Sequence, residues 1–469
     1  MKYIVLLVTL TYNACAVADV QAWTALTDEL TAAQYAAEVP AMGLVIMDHN
    51  QPALVSAWGD AITTQTPFRW GSISKTFTAL ALMRLVEQGK VALSDPVSQF
   101  LPAHTFGNPW AAEHPLLLLH LLELSGGFSD LSGAEFILKQ PLDLAAALAV
   151  SPKTRTTRWP PGLQSSYTNV NPGLTAAVIE QISGQSFEEF VRTEVLSTLG
   201  MGAASFHPVA GLPGGLKTDG HTEIPYWHMI FRAFGGLNAS LEEMSQFLTM
   251  LLNDGKIDNR RIFAPETLAG LFRPRSGLAA AAGLEIGYGT GLYGWVSHGR
   301  VFYGHGGDAD GYRARYGLLP GTGRGYLIAI NTDNRALLRR LQNSIELALT
   351  SDLPEADPPA AVAEPQSVLE SYAGDYYPSS ARFRIERWQA GEAPRAHITV
   401  RGGALSFARG DRRVTLIPQG VGRFRRSTDP VATVIFARDN AGTLYLQGEL
   451  GNFVNLKSGP CPGFIPVCN

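Results

Sequence analysis

Three short stretches of this 469-residue chain set reactive side chains at spacings that chemistry can use. In FRWGSISKTFTAL, residues 68–80, Ser72 precedes Lys75 by three positions at the entrance of a helical pattern. Positions i and i+3 share a helix face, so an amine there reaches a hydroxyl. A serine hydroxyl is a weak nucleophile until a base takes its proton, and a lysine that is desolvated or set near another cation has its pKa lowered enough to serve. Backbone N–H groups at the start of a helix favour a developing oxyanion. Alone, Ser-x-x-Lys is a weak signal, because Ser72 as a helix N-cap and Lys75 as a solvated charge also account for it.

The second stretch, WPPGLQSSYTNVNPGL, carries Tyr167, Thr168 and Asn169. Pro160, Pro161 and Gly162 force a turn and helical sequence resumes after Asn171, so the tripeptide is expected on a loop. A tyrosine near cations can shuttle protons, and an asparagine both donates to and accepts from a substrate amide. Loop tyrosines that pack and loop asparagines that make turns are the plain alternative. The third stretch, RVFYGHGGDADGYRARYGLLP, reads as a strand holding His305, Gly306, Gly307 and Asp308. Glycines in a strand permit close approach of another backbone or a ligand, and a strand bend is the simpler explanation of any one such triplet.

These residues need supports, and the flanking patterns provide them. TFTALALMRLVEQGK reads as a helix with Phe77, Leu80 and Leu85 on an apolar face and Gly89 as its stop. LLLLHLLEL, the stretch around Asn171 to Ile182, LEEMSQFLTMLLNDG and ALLRRLQNSIELAL are further helices; GLVIMD, RVFYGHGG, RYGLLP and YLIAIN are strands. Strands early and late, with helices at both ends, predict an α+β fold over residues 19–350: a sheet assembled from distant segments, covered by helices, with a helical insertion. Residues 351–366, SDLPEADPPAAVAEPQ, have no apolar periodicity and read as an extended linker. Residues 367–469 change character: ARFRIERW, AHITVRG, RRVTLIP, ATVIFARD, TLYLQGEL and NFVNLK alternate apolar and polar residues between turns, as in a small all-β barrel.

The charge pattern narrows the partner. A net charge of −4 with both signs interspersed leaves no basic stripe for nucleic acid or anionic lipid, which points to a small molecule or short peptide. His221 and His228 lack His-Glu-x-x-His spacing and the other histidines are scattered, so no metal or other cofactor is expected. Residues 1–18 place one lysine, an apolar run from Tyr3 to about Leu10 and the small-x-small site Ala16-Val17-Ala18 in the order of a secretory signal, so an exported, periplasmic or secreted protein is expected. The run is too short to span a bilayer, and Cys15 leaves a lipid anchor as the alternative. Past Ala18 only Cys461 and Cys468 remain, an even pair that reads as a disulfide closing a small terminal loop or as two free thiols.

In this order along one chain, the three stretches resemble the serine β-lactamase, penicillin-binding protein and D-aminopeptidase superfamily, in its class C-like branch. FRWGSISKTFTALALMRLVEQGKVALSDPVSQFLP resembles that family's nucleophile segment and WPPGLQSSYTNVNPGLTAAVIEQISGQSFEEFV its tyrosine segment. AFGGLNASLEEMSQFLTMLLNDGK and the histidine-glycine strand are similar to its later landmarks, so the resemblance spans roughly residues 40–350. It implies an antiparallel sheet between helices with a helical lobe. It also implies Ser72 as acylated nucleophile, Lys75 as its proton partner, Tyr167 as general base and acid, and Asn169 as a substrate-amide contact. His305, Gly306 and Gly307 match the Lys/His-x-Gly strand motif, and the oxyanion hole would be the backbone N–H groups of Ser72 and Asp308. Relatives with lipocalin-like C-terminal barrels imply that this one either lies over the active site and restricts substrate size or stabilises passively.

Two departures bear on function. Where β-lactamases of this branch carry Lys-Thr-Gly, this chain has His305-Gly306-Gly307, a weaker anion site without a hydroxyl. Where many relatives have His-Thr-Ser-Gly, it has Glu123-Leu124-Ser125-Gly126, read as a structural turn with little catalytic cost. The expected function is a serine hydrolase forming a covalent acyl-enzyme from an ester, amide or D-amino-acid peptide. The alternatives are a true β-lactamase, a periplasmic penicillin-binding or sensing protein without turnover, and a Ser-His-Asp hydrolase using His305 with Asp308 or Asp310, although no Gly-x-Ser-x-Gly elbow is present.

Overall fold

The computed structural model describes residues 11–131, 133–354, 357–380, 382 and 395–465. Six antiparallel strands form the main sheet in the order Gln51–Trp58, Met42–Asp48, Arg324–Ile330, Tyr312–Leu319, Arg300–Ala309 and Tyr293–Ser297. Strand Met42–Asp48 thus pairs with a strand some 280 residues later, Leu44 opposite Ile328 and Ile46 opposite Tyr326, while Gln51–Trp58 pairs only with Met42–Asp48 at the sheet edge. Strand Met42–Asp48 is buried along its whole length because both faces are covered. Met42, Leu44 and Ile46 pack with Leu26 and Leu30 of helix Thr11–Ala36 and with Leu341 and Ile345 of helix Arg335–Thr350. Val45 and Met47 face the larger core with Phe77, Leu80, Phe247 and Leu248, as the two-residue period of a strand requires.

Helix Ser74–Glu87 differs from the amphipathic element that its pattern predicts. Among its residues, Ser74 through Met83 and Leu85 are all buried, because the helix runs between the sheet and the helical lobe instead of along a surface. Helix Val170–Ser183 packs beside it and ends at Gly184, whose φ of 70° gives a left-handed cap. LLLLHLLEL makes a helix only over Leu118–Leu122, because Leu124 turns the chain at a φ of 51°.

The expected linker, over its described residues before Gln366, forms no helix or strand and touches the barrel. Helix Arg335–Thr350 ends where it begins, and Val362 bridges to Gln419 while Arg425 donates to the Pro359 carbonyl at 2.8 and 3.0 Å. Beyond it, eight strands form a closed barrel, each paired with its sequence neighbour and Phe453–Asn455 closing on Gly374–Pro378. Tyr376, Ile398, Phe407, Leu416, Phe436, Leu446 and Phe453 fill its core. Of the expected strand ARFRIERW only Arg382 lies within the described residues, and so does only Cys461 of the tail pair, where it is disulfide-bonded; Cys468 lies outside. The apolar run of the expected export segment also lies outside, and helix Thr11–Ala36 runs through the expected boundary at Ala18. Among the described residues no helix is long and apolar enough to cross a membrane.

The sheet meets the Ser72 turn through two glycines. Gly71 has a φ of +50°, and a Cβ there would stand 2.9 Å from the backbone of Asp308. A Cβ on Gly307 would stand 2.0 Å from the Trp70 carbonyl. Real Cβ atoms cannot approach backbone so closely, so both positions exclude a side chain. Gly307→Ala is therefore expected to push strand Arg300–Ala309 off the turn and to lower stability by more than about 2 kcal/mol. A thermal melt within a degree of the parent would refute this contact.

Candidate active site

Ser72 sits in a single 3-10 turn, Gly71–Ile73, that leads into helix Ser74–Glu87. It is not the cap of that helix: Ile73 takes the N-cap position, without a side-chain capping bond. Its hydroxyl instead lies 3.0 Å from Lys75 Nζ and 2.8 Å from the Tyr167 hydroxyl. Lys75 is 3% exposed, and its amine also lies 2.7 Å from Asn169 Oδ1 and 3.1 Å from the Phe234 carbonyl. Phe234 closes the 3-10 turn Arg232–Phe234, and the following Gly235 and Gly236 fit tightly against Met229 and Arg232. The AFGG segment thereby turns a carbonyl inward.

Burial shifts the titrating groups around Ser72 in opposite directions. Burial, reinforced by Arg382, holds the Lys75 amine well below its ordinary value, while Asp130 and Asp308 oppose it. The two carbonyl-type oxygens of Asn169 and Phe234 can only accept, so in a neutral amine both N–H bonds go to them and the lone pair faces the Ser72 hydroxyl. Burial raises the Tyr167 phenol above its ordinary value, so it stays protonated and donates to Ser72 Oγ. Asn169 is held in register by Asp130, which accepts from the Asn169 backbone N–H at 2.7 Å and from Nδ2 at 3.2 Å. An acceptor-only carboxylate leaves Oδ1 of that amide no choice but to face Lys75.

His305, 2% exposed, does not touch Ser72 in this arrangement. Its Nδ1 lies 2.6 Å from the Gly306 carbonyl and must donate to it, so Nε2 accepts from the Tyr288 hydroxyl at 2.9 Å. Burial is the main cause that lowers its pKa to about 3. The Asp308 carboxylate turns away to Arg335, at 2.5 Å, and Arg313, at 3.5 Å. A Ser-His-Asp relay therefore does not form. Positive charge beside the glycine strand comes from Arg315, the cross-strand partner of Gly306. Its guanidinium lies 4.2 Å from the Trp295 ring centroid and donates to Tyr293 OH at 2.6 Å. A side chain on Gly306 would come within 3.3 Å of Nη1. Ser72, Tyr167, Asn169, His305, Gly306 and Arg315 line one cleft of about 580 Å³.

The Beta-lactamase family profile matches residues 26–349, most of the chain and all of this constellation. The chain belongs to the beta-lactamase family. This beta-lactamase-family chain is 26% identical over 284 residues to "Penicillin-binding protein 4" of Amycolatopsis lactamdurans, covering 56% of its own length and 72% of that protein. It is 28% identical over 294 residues to a D-aminopeptidase of Cereibacter sphaeroides, covering 58% of its own length and 52% of the relative. In fold it is similar to the crystal structure of SurE, with a TM-score of 0.60 at 20% identity over 94% of this chain and 100% of that one. The octameric penicillin-binding protein homologue of Pyrococcus abyssi gives a TM-score of 0.56 at 22% identity over 92% and 99%.

In this beta-lactamase-family chain the structure brings Ser72, Lys75, Tyr167 and Asn169 into hydrogen-bond contact, with the Asp308 backbone against the Ser72 turn. Glu123, the departure from His-Thr-Ser-Gly, is a buried strut that accepts from the backbone N–H groups of Arg275 and Ser276 at 2.8 and 2.7 Å. Asp130 and Tyr288 lie outside the stretches that the sequence marked, and Phe234, Arg315 and Arg382 lie inside three of them without any local pattern that sets them apart. Because His305 is buried and neutral, its ring is expected to show no protonation midpoint between pH 5 and 8 in an NMR titration. A midpoint near 6.5 would refute the arrangement around Tyr288.

Proposed function

We propose that the chain is a serine hydrolase that works through a covalent acyl-enzyme on an ester, amide or D-amino-acid peptide. The observation that carries this reading is the Ser72 hydroxyl held between a lysine amine at 3.0 Å and a phenol at 2.8 Å. Lys75 takes the Ser72 proton as Oγ attacks the carbonyl carbon and the C=O electron pair moves onto oxygen, where the Ser72 and Asp308 N–H groups receive it. The carbon–leaving-group bond then breaks. Tyr167 gives its proton to the leaving group and regains one from Lys75, so a neutral pair is ready to activate water for deacylation.

The names of two relatives, a penicillin-binding protein and a D-aminopeptidase, support an amide or D-peptide donor. A second reading, a β-lactam or carboxylate-terminated peptide as donor, is favoured by Arg315, which sets a cation beside Gly306 where neutral His305 does not. The ordered signal features at residues 1–18 support action outside the cytoplasm.

Ser72→Ala is expected to abolish fluorophosphonate or penicillin labelling and all ester hydrolysis, and turnover retained by that variant would sink the assignment. Lys75→Ala and Tyr167→Phe should each lower kcat/KM by about 10²–10⁴-fold with the fold intact by circular dichroism. A panel of p-nitrophenyl esters, D- and L-aminoacyl anilides and a chromogenic cephalosporin identifies the donor: D-selective anilide cleavage marks a peptidase, ester cleavage alone a carboxylesterase, and cephalosporin turnover the second reading.

A further inference from the structure

The C-terminal barrel touches the catalytic constellation directly. Its Ser379 and Gln164 exchange two hydrogen bonds at 2.6 and 2.7 Å, Asn452 donates to the Ser165 carbonyl at 2.6 Å, and Gln447 donates to the Leu163 carbonyl at 3.1 Å. Leu163 packs with Tyr445, Val454 and Ile465. The segment that delivers Tyr167 is thus pinned from the barrel side, three positions in a row.

Arg382 goes further. It donates from Nε to Asp130 Oδ2 at 2.8 Å, and its own carbonyl accepts from the Asp130 backbone N–H at 2.7 Å. The same guanidinium lies 4.6 Å from the Tyr167 ring centroid, within cation–π range. Asp130 orients Asn169, and Asn169 orients Lys75, so a continuous chain of contacts runs from the barrel to the nucleophile.

We propose that the barrel is part of the catalytic unit, with Arg382 as a positioning residue that holds Asp130 and Tyr167 and thereby sets the geometry of Ser72, Lys75 and Tyr167. The inference rests on the acyl-enzyme reading above. Lys75 is faced by Asp130 and Asp308, which favour its cation, by Arg382, which disfavours it, and by His305 and Tyr167, which are neutral. Removing the guanidinium takes away a lowering influence, so the amine must deprotonate at higher pH.

The test is the pH dependence of Ser72 labelling by a fluorophosphonate and of kcat/KM for an ester, on the full-length protein. Arg382→Gln is expected to lower the labelling rate at pH 7 about 10- to 100-fold. It should also move the acid limb upward by about half a unit or more. Arg382→Lys should restore the limb but not the full rate, because an ammonium lacks the planar fork. Asp130→Asn removes an opposing anion and should move the limb downward. An unchanged limb in Arg382→Gln overturns the proposal, whether the rate is unaffected or uniformly reduced with a lower melting temperature. Labelling that survives in Ser72→Ala would instead overturn the acyl-enzyme reading.

Discussion

The Lys75 amine, enclosed by protein on every side, constrains everything around it. A buried ammonium is expensive unless each proton is matched, and a buried neutral amine still needs its N–H bonds received. Two acceptors that cannot donate, Asn169 Oδ1 and the Phe234 carbonyl, take those bonds and leave the third direction to Ser72. Each acceptor in turn requires its own support: Asp130 for the asparagine, and the glycine-paired AFGG turn for the carbonyl. The arrangement is a set of mutual obligations, in which the nucleophile's environment is the remainder after the lysine is satisfied.

The same logic explains the glycines. A backbone N–H from the sheet edge can serve an oxyanion formed on Ser72 only if strand and turn approach closer than side chains permit. Gly71 and Gly307 make that approach possible, each facing the other's backbone neighbour. The departure from Lys-Thr-Gly acquires a physical meaning here. His305, walled in by Tyr288 and the Gly306 carbonyl, keeps no charge, and the small Gly306 leaves room for Arg315 from the adjacent strand.

The barrel closes its own strand ladder around a filled aromatic core, so its alternating pattern was readable without reference to the hydrolase domain. What its alternating pattern did not convey is where it docks. Leu163, Gln164 and Ser165 look like ordinary loop residues, yet each meets a barrel partner, and the result is a tyrosine loop clamped between two folding units.

By itself the sequence determined the chemistry at short range: the Ser72 and Lys75 spacing, the Tyr167 to Asn169 loop, the glycine strand, and the change of period near residue 351 that separates mixed structure from barrel. These are legible because helix, strand and turn preferences are local. Whether Ser72 capped a helix or faced a base was not local, and the 3-10 turn at Gly71–Ile73 with its contacts settled the geometry. Tertiary structure alone decided the burial that lowers the Lys75 pKa, the contacts of His305 with Tyr288 and the Gly306 carbonyl, and the placement of Asp130, Arg315 and Arg382. Burial and charge at one point are sums over segments far apart in the chain, and no window along the sequence contains them.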